Sequence, residues 1–178
     1  MTASEYLQLK AFARIDGVWV ALWLVASFAC YVAGLSLPGF GLAALVLAVG
    51  MPFFAGYRLR KFRDDNLDGE ISFARGWGYV TFVFFYAALL FALVQYAYFA
   101  YLDRGYMVDS LSRMMTEGAN AEMLRQMGMT QQMSDSLDLL RSLRPIDMAI
   151  SMLELLFLSG LVLGIPIAAV LQKKKTIT

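Results

Sequence analysis

The sequence predicts an all-α integral membrane protein: four transmembrane helices, with a helical, methionine-rich extracytoplasmic loop between the third and the fourth. Three observations carry this. Of 178 residues, 60% are apolar and 16% charged, whereas about a quarter of an ordinary soluble chain is charged. Four apolar runs are each long enough to cross about 30 Å of hydrocarbon. None alternates with the period of a barrel strand, so each must close its backbone hydrogen bonds within itself as a helix.

The first run covers residues 17–37. Ser27, Ala29 and Cys30 are spaced like a processing site, but Phe28 spoils the lipoprotein pattern and the apolar stretch continues past Cys30. The run therefore reads as a retained span, with Cys30 a small packing residue. Ser36-Leu37-Pro38-Gly39 has room only for a tight turn into the second run, 40–57. A polar stretch with Gly69 at a left-handed turn position leads into the third run, 77–102, and the fourth is 146–171. The whole of 1–178 reads as one membrane domain, with 103–144 as the outer loop.

Orientation follows from Lys and Arg. Ten of the 15 basic residues (Lys10, Arg14, Arg58, Arg60, Lys61, Arg63, Arg75, Lys173, Lys174 and Lys175) fall on one side, and the remaining five are interleaved with acids in the outer loop. Both termini are thus expected in the cytoplasm. Arg58, Arg60, Lys61 and Arg63, with the three lysines, form a collar suited to lipid headgroups, each charge worth about 1 kcal/mol near an anionic surface. The orientation rule alone also accounts for such a collar.

The outer loop holds Met107, Met114, Met115, Met123, Met127, Met129 and Met133. Met107, Leu111, Met114 and Met115 make one amphipathic stripe, and Met133, Leu137 and Leu140 a second. Breaks at Gly118 to Asn120 and at Gly128 predict two or three short helices, whose apolar faces need the bilayer surface, the mouth of the bundle or another protein.

Matching motifs suggest two related hairpins. Phe12-Ala13-Arg14 with Gly17, and Phe73-Ala74-Arg75 with Gly78, precede or open spans one and three; Gly50-Met51-Pro52 and Gly164-Ile165-Pro166 lie ahead of basic clusters in spans two and four. Parallel repeats of this kind occur in transporters, although interfacial placement alone favours the same residue types. Pro52 and Pro166 bend their helices at similar depth and open a cleft between them, or merely adjust the shape of a rigid bundle.

Several chemistries are removed at once. With no histidine and one cysteine, imidazole catalysis, disulfides and the usual zinc and haem ligand sets are absent, so neither metal nor cofactor is expected. A net charge of +1 gives no reason to expect nucleic acid. Residues 64–75 resemble a calcium loop at several positions, but the last holds Arg75 where a bidentate Glu is required. No two acids converge within a span, so an enzyme is not expected.

Glu154 is the costliest residue, about 13 Å inside the fourth span at 1.5 Å per residue. Gln95 and Ser27 lie at comparable depth, and Asp147, seven residues before Glu154, continues the polar stripe outward. This layer is either a proton or cation site, a polar contact for a partner helix, or an internal hydrogen bond between Glu154 and Gln95. Gly160, Gly164 and Ala168 form a small-residue strip for close helix contact, within the chain or with another.

Taken together, the basic run Tyr57 to Arg63, the Gly69 to Phe73 segment, Asp103 at the close of span three, the loop with Gly128-Met129 and the Lys-ended fourth span resemble a small bacterial family. It is an inner-membrane family catalogued as a domain of unknown function, family forty-one ninety-nine. The resemblance implies four spans and a bacterial inner membrane, and brings no catalytic residue. It also implies a loose association with polyprenyl-phosphate glycosyltransferases of envelope assembly.

The expected function is a non-enzymatic accessory or scaffold subunit that binds membrane lipid or a membrane partner, such as a membrane-bound glycosyltransferase. The alternative is a small homo-oligomeric carrier or channel for a lipid-linked or ionic substrate, with Glu154 and Gln95 in the path and the proline bends as gates.

Overall fold

The computed structural model describes residues 2–173, with backbone only at 38 and 118–120. In chain order the helices are α1 (Ala3–Gly34), α2 (Pro38–Asn66), α3 (Phe73–Ala97), α4 (Tyr106–Thr116), α5 (Gly118–Gln126), α6 (Thr130–Ser142) and α7 (Pro145–Leu171). A π-helical turn, Tyr98–Leu102, prolongs α3 and closes with the Asp103 amide donating to the Tyr98 carbonyl at 2.9 Å. Four helices, α1, α2, α7 and α3 with its π turn, are long and apolar enough to cross a membrane.

Two helices outrun their apolar segments at the same end. α1 begins well before residue 17 because Leu9, Ala13, Asp16 and Val20, spaced by three and four, are all buried. Thr2 and Glu5 close its start reciprocally: Glu5 N donates to Thr2 Oγ1 at 3.3 Å and Thr2 N to Glu5 Oε2 at 2.7 Å. Likewise α2 continues past residue 57 because Ala55, Leu59 and Phe62 stay buried. At the other end α1 stops at Gly34, short of residue 37, where the turn is so tight that a Cβ would sit 2.6 Å from the Gly41 nitrogen.

α1 and α3 form the middle of the bundle, α2 packs along α1 and α7 along α3, while α2 and α7 touch only briefly. The α3 to α7 seam is the closest. A Cβ on Gly160 would lie 2.3 Å from Phe84 Cβ, one on Gly164 3.0 Å from Trp77 Cδ1, and one on Gly76 3.4 Å from Ala168 Cβ. The small-residue strip is therefore used inside the chain, which resolves the choice its spacing left open.

The two hairpins share a clamp. Trp23 Nε1 of α1 donates to the Leu47 carbonyl of α2 at 2.8 Å, and Trp77 Nε1 of α3 to the Leu161 carbonyl of α7 at 3.0 Å. Each acceptor lies three residues before the glycine of a Gly-x-Pro, and each indole ring lies against that glycine: a Cβ on Gly50 would be 3.1 Å from Trp23, one on Gly164 3.0 Å from Trp77. Proline removes a helical N–H and pushes the preceding turn aside; the carbonyls that lose their donor are those of Ala48 and Val162, and each indole bonds the carbonyl one residue before that gap. The glycine lets the ring come close enough to donate.

The first residues of α1, the α2–α3 loop and the end of α7 gather at one end, called here the basic end. Arg75 reaches Glu5 at 3.4 Å and Gln8 at 3.1 Å, Arg63 donates to the Leu171 carbonyl at 2.9 Å, and Ile71 and Lys173 exchange backbone hydrogen bonds at 3.0 and 2.9 Å. The loop turns through Asp68 and Gly69, both with positive φ, as the polar-turn reading expects.

At the opposite end α4, α5 and α6 turn their apolar stripes toward one another around a cavity of about 250 Å³ that Met115, Leu124, Met133 and Leu137 help to line. The three-helix version of the loop holds, with one shift. The first break falls at Glu117, whose backbone is extended, and residues 118–120 already belong to α5. Asp103 fixes the entry, its carboxylate accepting from Gly105 N and Met107 N at 3.0 Å each.

Candidate functional site

Two cavities within the membrane helices and one buried ionic cluster make up the site candidates. At the basic end Asp16 of α1 is 6% exposed. Its carboxylate accepts from the Arg58 guanidinium of α2 and from the Tyr79 hydroxyl of α3. Phe62 stacks on the Tyr79 ring with centroids 4.3 Å apart. One acid thus joins three helices, and removing either partner leaves a buried charge or dipole unpaired. The cluster ties α1, α2 and α3 together at the basic end.

This corrects the collar of headgroup cations. The Arg58 side chain is 16% exposed and spent on Asp16, and Arg63 is 13% exposed and divided between the Leu171 carbonyl and Asp64. On α2 the two flank the buried face of Ala55, Leu59 and Phe62 from either side. Arg60, Lys61 and Lys173 remain exposed, and Lys174 and Lys175 lie outside the described residues.

Between α2 and α7 a cleft of about 500 Å³ opens beside the basic end, walled by Pro52, Phe53, Gly56, Pro166, Ile167 and Val170. Both prolines line it, the cleft being one of the two outcomes their matching depth left open. Arg60 and Tyr57 stand among its lining residues, and Arg60 is 68% exposed, with Nε 3.6 Å from Asp64. The arrangement is an apolar trough with a cation at its mouth, closed at the end by the Arg63 to Leu171 bond. It can take a hydrocarbon chain whose headgroup is anionic.

A second pocket, of about 560 Å³, lies nearer the other end among α1, α2, α3 and α7. Gln95 and Ser27, two of the three residues expected in one layer, both line it. The Ser27 hydroxyl donates to the Ala44 carbonyl at 3.2 Å. Gln95 is 2% exposed, and its buried Oε1 has no hydrogen-bond partner among the described residues.

Glu154 is not with them. It is exposed on the outer side of α7, lines none of the described cavities and accepts no hydrogen bond from Gln95. The small-residue strip decides this: α7 buries Leu156, Gly160, Gly164 and Ala168, and a residue two positions before Leu156 lies about 200° around the helix. Glu154 and Gln95 therefore share no cavity within the chain. Asp147 is held at the head of α7 by Arg144, which donates from its backbone N at 3.1 Å and from Nε and Nη2 at 2.9 Å. The same contact raises the Arg144 pKa.

Asp16, Tyr79, Trp23 and Trp77 were not candidates from sequence. Asp16 had a signal, since it falls on the Leu9, Ala13 and Val20 face of α1. The indoles had one only in retrospect, because their acceptors lie on other helices.

The model of the family described as "Protein of unknown function (DUF4199)" matches residues 16–173. The chain belongs to this family. Its four long apolar helices make it a multi-pass membrane protein. A search of the curated proteins and a search of the solved structures returned no match.

Proposed function

We propose that the protein is a non-enzymatic accessory or scaffold subunit of a bacterial inner membrane, with both termini cytoplasmic, that binds an anionic membrane lipid between α2 and α7. Through that surface it meets a membrane-bound partner, a glycosyltransferase of envelope assembly being the expected class. The α2/α7 cleft carries the reading, since it is apolar along its walls, open to the surrounding bilayer and cationic at its mouth through Arg60. No constellation of nucleophile, base and acid lines it, and a trough of this kind holds a lipid rather than transforming one.

The test is extraction of the tagged protein from its own membranes in mild detergent, followed by native mass spectrometry of the intact assembly. A stoichiometric second protein with retained anionic phospholipid is expected. Arg60→Glu is expected to lower the retained lipid about thirty-fold, the size of a two-unit change of charge near a surface. Recovery of the bare chain, with neither lipid nor partner and no effect of Arg60→Glu, would overturn the reading.

A further inference from the structure

The pocket holding Gln95 has a composition unlike that of the α2/α7 cleft. Its walls are hydrocarbon and aromatic, including Leu24, Phe91, Met152 and Leu156, and no Asp, Glu, Lys or Arg lines it. Tyr31 and Leu45 at its edge are 41% and 60% exposed, so it opens toward the surrounding bilayer. Its volume, about 560 Å³, lies within the usual range for small-molecule sites.

Inside this apolar space one strong acceptor is left over. Gln95 Oε1 is buried and unpaired, and an orphaned buried amide calls for an explanation such as an absent ligand. Three occupants differ in how they answer it. A charged headgroup would be stripped of water with no counter-charge, a heavy penalty. A pure hydrocarbon chain would leave Oε1 as it is. Water needs two to four polar partners; of the polar side chains that line the pocket beside Gln95, Tyr31 stands at the exposed edge and the Ser27 hydroxyl hydrogen already goes to Ala44, and water would leave the apolar volume unfilled. A hydroxyl on a hydrocarbon body meets both demands, because it donates to Oε1, accepts from the amide Nε2 if the group is turned, and fills the remaining volume with carbon.

We propose that this pocket is a binding site for a neutral membrane lipid whose one free polar group is a hydroxyl, read by Gln95. The lipid enters past Tyr31 and Leu45 and lays its hydrocarbon against Phe91, Met152 and Leu156. Ser27 lines the same pocket, and its oxygen is the acceptor for the lipid hydroxyl hydrogen when the Gln95 amide is turned to donate from Nε2.

The full chain in phosphatidylcholine nanodiscs, labelled with hexadecanol bearing a photoreactive diazirine on its chain, tests this. Cross-links are expected at Met152 and Phe91, with hexadecanol competing about ten-fold better than its methyl ether, the worth of one buried hydrogen bond. Dioleoylglycerol in place of hexadecanol tells a glyceride from a single-chain alcohol; competition by either supports the site. Gln95→Leu should bring alcohol and ether to equal competition without loss of fold, and Ala48→Phe, at an exposed part of the lining, should reduce labelling by both. Equal competition by alcohol and ether in the unmodified protein, or an unchanged preference for the alcohol in Gln95→Leu, would overturn it. So would labelling indifferent to Ala48→Phe, which would place the probe elsewhere.

Discussion

The α1/α2 hairpin and the α3/α7 hairpin carry the same clamp and use their matching helix starts differently. Both set an indole over the glycine of a Gly-x-Pro and donate to the carbonyl three residues earlier. Yet in the shared Phe-Ala-Arg motif the position before the glycine is Asp16 in one and Trp77 in the other. In the first hairpin it is the buried acid that gathers three helices; in the second it is the clamp itself. The motif glycines diverge too, since a Cβ on Gly17 would lie 2.6 Å from Tyr86 Cβ, whereas Gly78 meets nothing within 4 Å. A shared pattern near a membrane boundary thus marks similar depth, and what each residue contacts is set by the helix it faces.

The comparison breaks most sharply at Asp16. Asp16→Leu leaves Arg58 buried without its counter-charge and is expected to cost about 3–5 kcal/mol, with Asp16→Leu/Arg58→Leu recovering most of it; unfolding in detergent micelles by denaturant measures both. If the double variant is as weak as the single, the cluster does more than neutralise a charge. The clamps come next. Trp23→Phe and Trp77→Phe keep an aromatic ring but remove the donor and the five-membered ring, so each should cost at least about 0.6–1 kcal/mol, and equal losses would support a common device. A loss confined to one hairpin would make the resemblance one of geometry alone. The smallest effect separates the paired arginines. Arg14 is exposed and makes no ion pair among the described residues, and Arg14→Ala should stay within about 0.5 kcal/mol. Arg75 holds Glu5 and Gln8 from a half-buried position, and Arg75→Ala should cost about 1 kcal/mol in the same assay.

Much of the site was legible in part. Pro52 and Pro166 at similar depth left a cleft or a rigid bundle open, and the cleft lies between α2 and α7; Gln95 with Ser27 marked a polar spot among apolar walls. Glu154 misled because depth was read without azimuth: an acid at the right height but some 200° from the buried strip cannot join that spot. Arg58 and Arg63 misled for the converse reason, since cations next to a span were read as facing lipid headgroups while their helix turned them inward. Asp16 passed unnoticed because the search for continuous apolar runs stops at the first charge, although the buried periodicity of α1 continues through it.

What the sequence determined by itself is the number of spans, their antiparallel order, the tight first turn, the left-handed Gly69 and the helical character of the loop between the third and fourth spans. These follow from the bilayer as solvent and from local backbone chemistry, which act on each segment without reference to its neighbours. The tertiary structure decided which face each helix buries: that the glycines of α7 are spent on α3, that Glu154 points away from Gln95, and that two prolines line one cleft. Helix faces are assigned by the closest packing available between whole helices, and that comparison of alternatives is a property of the assembled bundle.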